Sequence, residues 1–303
     1  MKILNFGSCN LDYVYSLEHI VMKGETESSA KMEIFAGGKG LNQSIAVAKA
    51  GVQIFHTGCV GSDGGLLADT LKLHGVNTEY LQEVPEKNGH AIIQVTKDGE
   101  NSIILYAGSN AMISEKLIDR VLEDFESGDI LLLQNEINNI PLIVEKAYSR
   151  GMKIVLNPSP YNEKIHLIDM SKISCMILNE VEAAGLSGTE DVQQSMDYLC
   201  RTYPQMAIMM TLGKKGCVYG SGEERLHQKA FSVQAVDTTA AGDTFTGYFI
   251  AGLSQNKKIA DILVVASAAA AIAVTRNGAA PSIPAIEEVI CYLTENGCRP
   301  AEY

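Results

Sequence analysis

Continuous apolar runs alternate with amphipathic stretches along most of the 303 residues. Residues 2–7, 53–59, 129–133, 153–156, 175–178 and 205–211 read as strands, several of them apolar on both faces. Residues 41–50, 65–74, 115–125, 140–150 and 192–201 read as the helices between them. A strand with no polar alternation must be covered on both sides, which a parallel sheet between two helical layers achieves. The final third is richer in helix, over 242–254, 260–275 and 284–296. Pro284 suits a first helical position, where its missing N–H costs nothing.

Two stretches depart from this pattern. Residues 13–35 and 90–106 read as short strands with turns, and in the second Lys97-Asp98-Gly99-Glu100-Asn101 separates 91–96 from 102–106. Hairpin strands pair antiparallel and so do not extend a series of parallel strands. Both stretches are expected to project from the sheet edge as a small β-lid on a single domain covering 1–303.

Composition narrows the partners. With 46% hydrophobic residues the chain can fill a large core, and a net charge of −12 argues against nucleic acid, which needs a basic surface. The longest apolar run, 262–274, is Ala-rich and too short to span a bilayer, and the start lacks the pattern of a secretory signal. Neither a membrane nor secretion is therefore expected. Seven scattered cysteines, never in a Cys-x-x-Cys pair, read as the reduced thiols of a cytoplasmic protein. The six histidines show no metal-ligand spacing.

The densest chemical signal is Asp237-Thr238-Thr239-Ala240-Ala241-Gly242-Asp243-Thr244-Phe245. Small residues stand directly before an apolar helix, so backbone N–H groups converge at its N-terminus as a cradle for phosphate. Asp243 falls in the first turn, where a carboxylate can take a proton from an attacking hydroxyl. An ordinary helix start with an acidic cap fits the same local residues. A second signal is Ala36-Gly37-Gly38-Lys39-Gly40-Leu41-Asn42-Gln43. Its paired glycines allow close backbone approach to a ligand, although the spacing matches neither a P-loop nor a dinucleotide fingerprint.

Together with smaller motifs in order, these segments resemble the ribokinase-like (PfkB) carbohydrate kinases over nearly the whole length. The smaller motifs are Gly7-Ser8-Cys9-Asn10-Leu11-Asp12, Asn179-Glu180-Val181-Glu182, Thr211-Leu212-Gly213 with Gly216, and Ala273 to Ser282. The resemblance implies a three-layer α/β/α sandwich and an ATP-dependent kinase acting on a small sugar hydroxyl, ribose being the first expectation. It makes Asp243 the general base and the amides of Ala240, Ala241 and Gly242 the anion hole. Asn10, Asp12, Gly38, Lys39, Asn42 and Glu136 would grip sugar hydroxyls. Asn179, Thr211, Gly213 and Gly216 would bind the nucleotide, with Glu182 organising Mg2+ through water. Asp237, Thr239, Ala273, Arg276, Gly278 and Ser282 match positions for an activating monovalent cation, chiefly K+. Lids of this family often pair between subunits, which implies a homodimer.

Some residues leave the substrate open. Leu41, Cys9 and Tyr13 depart from the commonest sugar motifs, and Lys214 from the nucleotide turn. A nucleoside would need a stacking surface, for which Tyr13 and Tyr15 are candidates; a sugar phosphate would need a basic cluster, and none is evident. Fructose and deoxyribose remain alternatives within the fold. A non-catalytic relative would be expected to lose Asp243 or the small residues before it, and both are intact.

Overall fold

The computed structural model describes residues 1–298. Strand β1 (Ile3–Phe6) is followed by two strands of a second sheet, β2 (Asn10–Leu17) and β3 (Lys31–Gly37), and then helix α1 (Lys39–Lys49). The first sheet resumes with β4 (Phe55–Gly61), α2 (Gly65–Leu73) and β5 (Leu81–Val84), and the second with β6 (Gly89–Thr96) and β7 (Asn101–Tyr106). Strand–helix alternation then runs through α3 (Glu115–Leu122), β8 (Ile130–Gln134), α4 (Ile140–Ser149), β9 (Lys153–Asn157), β10 (Cys175–Asn179), α5 (Glu180–Ser187), α6 (Val192–Thr202) and β11 (Ala207–Thr211). A hairpin of β12 (Cys217–Ser221) and β13 (Glu224–Gln228) precedes α7 (Ala241–Ser254), α8 (Ile259–Ala273) and α9 (Ile286–Glu295).

The large sheet has the order β13-β12-β11-β10-β9-β8-β1-β4-β5 and is parallel except at the β11-β12-β13 end. Successive strand residues point to opposite faces, and both faces are apolar. Ile130, Leu132, Cys175 and Ile177 enter the core under α1, α7 and α8, while Leu131, Leu133, Met176 and Leu178 enter the core under α3, α4 and α6. This is the three-layer α/β/α sandwich that the uninterrupted apolar runs demand. No helix among the described residues is long and apolar enough to cross a membrane, and all seven cysteines are free.

The small sheet, ordered β3-β2-β6-β7, consists of two antiparallel hairpins joined by a parallel β2–β6 pair. Sequence patterning anticipates the hairpins but not the parallel seam between them. It also misses β5, α5 and the β12–β13 hairpin.

Candidate active site

Strand order reverses around β1, which pairs with β4 on one side and β8 on the other. Ligands of open α/β sheets settle outside the carboxyl ends of the strands at such a switch point. Here Ser8 follows β1 and Glu136 follows β8, while Asn157, Asn179 and Thr211 end β9, β10 and β11. The polar residues of the site thus line one edge of the sheet, with a cleft of about 240 Å³ beside the N-terminus of α7.

Ala240 caps α7 in the left-handed region, at φ 58°, a conformation that is uncommon for a residue with a side chain. The turn it makes brings Asp243 into the cleft, 8% exposed. The carboxylate is held on both oxygens: Asn42 Nδ2 donates to Oδ2 (3.1 Å) and Gln43 Nε2 to Oδ1 (2.9 Å). The first N–H groups of a helix have no intrahelical acceptor. Ala241 N–H turns back to Thr238 O at 3.3 Å, which leaves Gly242 and Asp243 offering the outward amides. A Cβ on Gly242 would meet no atom within 4 Å, so it would occupy only the cleft. That bare position is a cradle fitted to an anion.

On the side of the small sheet, Asn10 is buried, and its Oδ1 accepts from Asn110 Nδ2 at 2.7 Å. Gly89 permits this pair, since a Cβ there would lie 2.0 Å from Asn110 Nδ2. Glu136 Oε2 accepts from the Lys39 backbone N–H (3.0 Å) and from the Ser8 hydroxyl. Burial pushes the Glu136 carboxyl up, against the pull of Lys39 and Ser8. Asp12 is driven up to about 7, first by burial and then by Glu136. Burial depresses Lys39, yet Asp243, Glu136 and Glu182 together hold its ammonium above the usual value. Lys39 therefore stands between the two halves of the site. Asn42 Oδ1 is buried with no hydrogen-bond partner among the described residues, an acceptor suited to a substrate hydroxyl.

Three substrate-related expectations change meaning. Leu41 is fully buried in the core and does not face the pocket. Tyr13 and Tyr15 alternate with Asp12 along β2 and so occupy the opposite face, where the Tyr13 ring meets His90 edge-on at 5.9 Å. They offer no stacking surface beside Asp12. Gly38, with φ 94°, supplies the left-handed turn into α1.

Across the cleft, Asn179 and Glu182 form the capping box of α5: Asn179 Oδ1 accepts from Glu182 N–H (2.9 Å) and Glu182 Oε2 from Asn179 N–H (3.0 Å). Each side chain spends one oxygen on the helix, and both line the cleft with Thr211. Gly213 opens the turn at φ 51°. Gly216, at φ 101°, lies under β13, where a Cβ would strike Gln228 O at 2.0 Å. Its need for glycine is therefore satisfied by packing alone. Farther along, Asp237 ties two loops, accepting from Thr239 N–H (2.8 Å) and Gly278 N–H (2.9 Å). Arg276 turns its guanidinium to Glu288 (2.5 Å), and Ser282 Oγ donates to Ala279 O (2.7 Å). The Ala273 carbonyl accepts from Arg276 N–H at 3.1 Å. No cluster of three acidic, His or Cys side chains among the described residues could hold a metal, so a cation here would rest mainly on backbone oxygens.

Sequence reasoning missed Gln43, Asn110, Asn157 and Gln134, whose amides become meaningful only once the fold joins them.

The pfkB family carbohydrate kinase profile matches residues 1–286. A ribokinase of Haemophilus influenzae is 37% identical over 301 residues, covering 95% of this chain and 96% of that protein. A deoxyribokinase of Salmonella typhi is 31% identical over 307 residues, covering 98% of this chain and all of that protein. The structure of Arabidopsis thaliana ribokinase complexed with ribose and ATP superposes with a TM-score of 0.85 at 30% identity, covering 96% of this chain and 98% of that one. The chain belongs to the pfkB family of carbohydrate kinases.

Proposed function

We propose that the protein transfers the γ-phosphoryl group of ATP to a hydroxyl of ribose, giving ribose 5-phosphate. The observation that carries this is the Asp243 carboxylate, fixed by Asn42 and Gln43 at the mouth of a helix N-terminus with polyol-suited residues on one side. Asn10, Asp12, Gly38, Lys39, Asn42 and Glu136 position the sugar, Asp12 and Glu136 accepting from hydroxyls when ionised and Asn10 donating. Asp243 takes the hydroxyl proton as the oxygen attacks. The Ala240 and Gly242 amides, with that of Asp243, and the Lys39 ammonium meet the charge that develops on the transferring group, the Ala241 amide being turned to Thr238 O.

Asn179, Thr211, Gly213 and Gly216 line the nucleotide groove. The free oxygen of Glu182 suits a hydrated Mg2+, which neutralises phosphate charge when bound. Asp237, Thr239, Ala273, Arg276, Gly278 and Ser282 bracket the two loops where K+ would act, the Asp237 carboxylate supplying the single negative charge. The strands within 13–35 and 90–106 cover the sugar and keep water from the phosphoryl group. Their outer part exposes Ile103 (53%), Ile104 (60%) and Leu105 (58%), which supports a homodimer closed through the lid. Reduced cysteines, five of them buried, suit a cytoplasmic enzyme working as one domain.

The test is ADP release from Mg-ATP with ribose, 2-deoxyribose, fructose, ribulose and nucleosides, with and without K+. Fastest turnover with ribose, raised by K+, is expected. 2-Deoxyribose is the second reading, motivated by the deoxyribokinase relative, and preference for it over ribose would replace the first. Silence across the panel would overturn both.

A further inference from the structure

Two amides hold the Asp243 carboxylate, and they are not equivalent. Asn42 is held by the Asp243 contact alone, its Oδ1 having no partner among the described residues. Gln43 is held on both its nitrogen and its oxygen. It is fully buried; its Nε2 donates to Asp243 Oδ1 (2.9 Å) and Asn157 Oδ1 (2.9 Å), and its Oε1 accepts from Gln134 Nε2 (2.8 Å). Gln134 Nε2 also donates to Asn5 Oδ1 (3.1 Å), and Asn5 Nδ2 donates to Gly40 O (2.8 Å) and Ser44 Oγ (2.8 Å). At the other branch, Asn157 Nδ2 donates to Ile177 O (2.8 Å).

The ends of this chain are backbone carbonyls, Gly40 O and Ile177 O, which can only accept. They fix Asn5 and Asn157, and through them Gln134 and Gln43. Turning Gln43 over would set its oxygen against two other oxygens and its NH2 against that of Gln134. In a buried network each reversed contact leaves groups unsatisfied at full desolvation cost.

We propose that Gln43 is a positioning residue for phosphoryl transfer, locked by the Gln134–Asn5 and Asn157 amides so that an N–H always meets Oδ1 of Asp243. This deepens the reading of Asp243 as the base and rests on it. A donor fixed on a carboxylate favours its ionised, proton-accepting form and leaves the oxygen on the Asn42 side to face the sugar hydroxyl. The charged groups around Asp243 are Lys39, Glu136 and Glu182. None of them belongs to the amide chain, so they stay in place when it is altered.

The experiment measures kcat against pH at saturating ribose and Mg-ATP for the parent, Gln43→Met, Gln134→Met and Asp243→Asn. Gln43→Met keeps the length and removes the donor. Its kcat should fall about tenfold or more, with KM for both substrates within about threefold, and the acid limb of the profile should move up by about one pH unit. Gln134→Met does not touch Asp243, yet it should move the limb the same way by less, because Gln43 is loosened. A purely structural role would lower the melting temperature and leave the limb in place. An unmoved limb in both variants, or in Gln134→Met alone if Gln43→Met does not fold, overturns the proposal. Turnover surviving in Asp243→Asn would instead overturn the base itself.

Discussion

A Cβ on Gly37 would fall 2.0 Å from Asp12 Oδ2, so the Asp12 carboxyl lies against bare backbone of the neighbouring strand. The register pairs Asn10 with Gly37 and Asp12 with Phe35, which makes the contact a diagonal one across β2 and β3. Gly37→Ala would displace the end of a flexible side chain rather than the strand. The fold should survive, while KM for the sugar should rise about tenfold with kcat less affected. An unchanged KM in steady-state kinetics would mean that Asp12 does not grip the sugar in this position.

Asp12 also sets a pH dependence. With its carboxyl raised to about 7 by burial and by Glu136, it is largely protonated in mildly acidic solution. Only the ionised form is purely an acceptor. Sugar affinity measured by calorimetry should therefore rise as pH increases through about 7 and level off above it. Asp12→Asn should flatten that curve.

Glu182 serves the helix and the cleft with different oxygens, and two substitutions separate the roles. Gln can replace Glu in a capping box, so Glu182→Gln should keep the melting temperature while weakening the binding of Mg-ATP, seen as a raised KM. Glu182→Ala should lose both, with about 1 kcal/mol of stability gone in denaturant titrations.

His56 carries a stability prediction. It is fully buried between Ser44, which bonds Nδ1 at 2.8 Å, and Cys9, whose sulfur lies 3.2 Å from Nε2. Burial lowers its pKa to about 4 from an ordinary 6.5. Above 6.5 folded and unfolded chains are both neutral there. As pH falls from 6.5 towards 4 only the unfolded chain takes up the proton, and stability on the order of 3 kcal/mol is lost. Denaturant midpoints for His56→Gln should fall less steeply over that range than those of the parent.

Much of the architecture is legible because apolar periodicity is a local property. The runs at 129–133 and 175–178 are apolar on both faces, and they form central strands with a core on each side. β5 escapes because four residues, Leu81–Val84, carry too little pattern. α5 escapes because its alternation is weak, although Asn179 and Glu182 spell its start as a capping box. The site divides the same way. Asp243 and the glycines cluster in sequence and are visible there. Gln43, Gln134 and Asn157 are single uncharged amides in three separate elements, and nothing local distinguishes them from surface polar residues. Leu41 shows the converse, since a residue inside a binding motif points into the core.

Strand β2 runs without interruption from Asn10 to Leu17, with Asn10 and Asp12 at its root and the exposed part of the small sheet at its tip. The floor of the pocket and its cover are thus one length of backbone, braced along its whole span by β6. A tilt of the small sheet pivots Asn10 and Asp12 with it, as a latch is turned by its own handle. Slipping the β2–β6 seam by one place would at once turn Asp12 to the wrong face and misalign the cover.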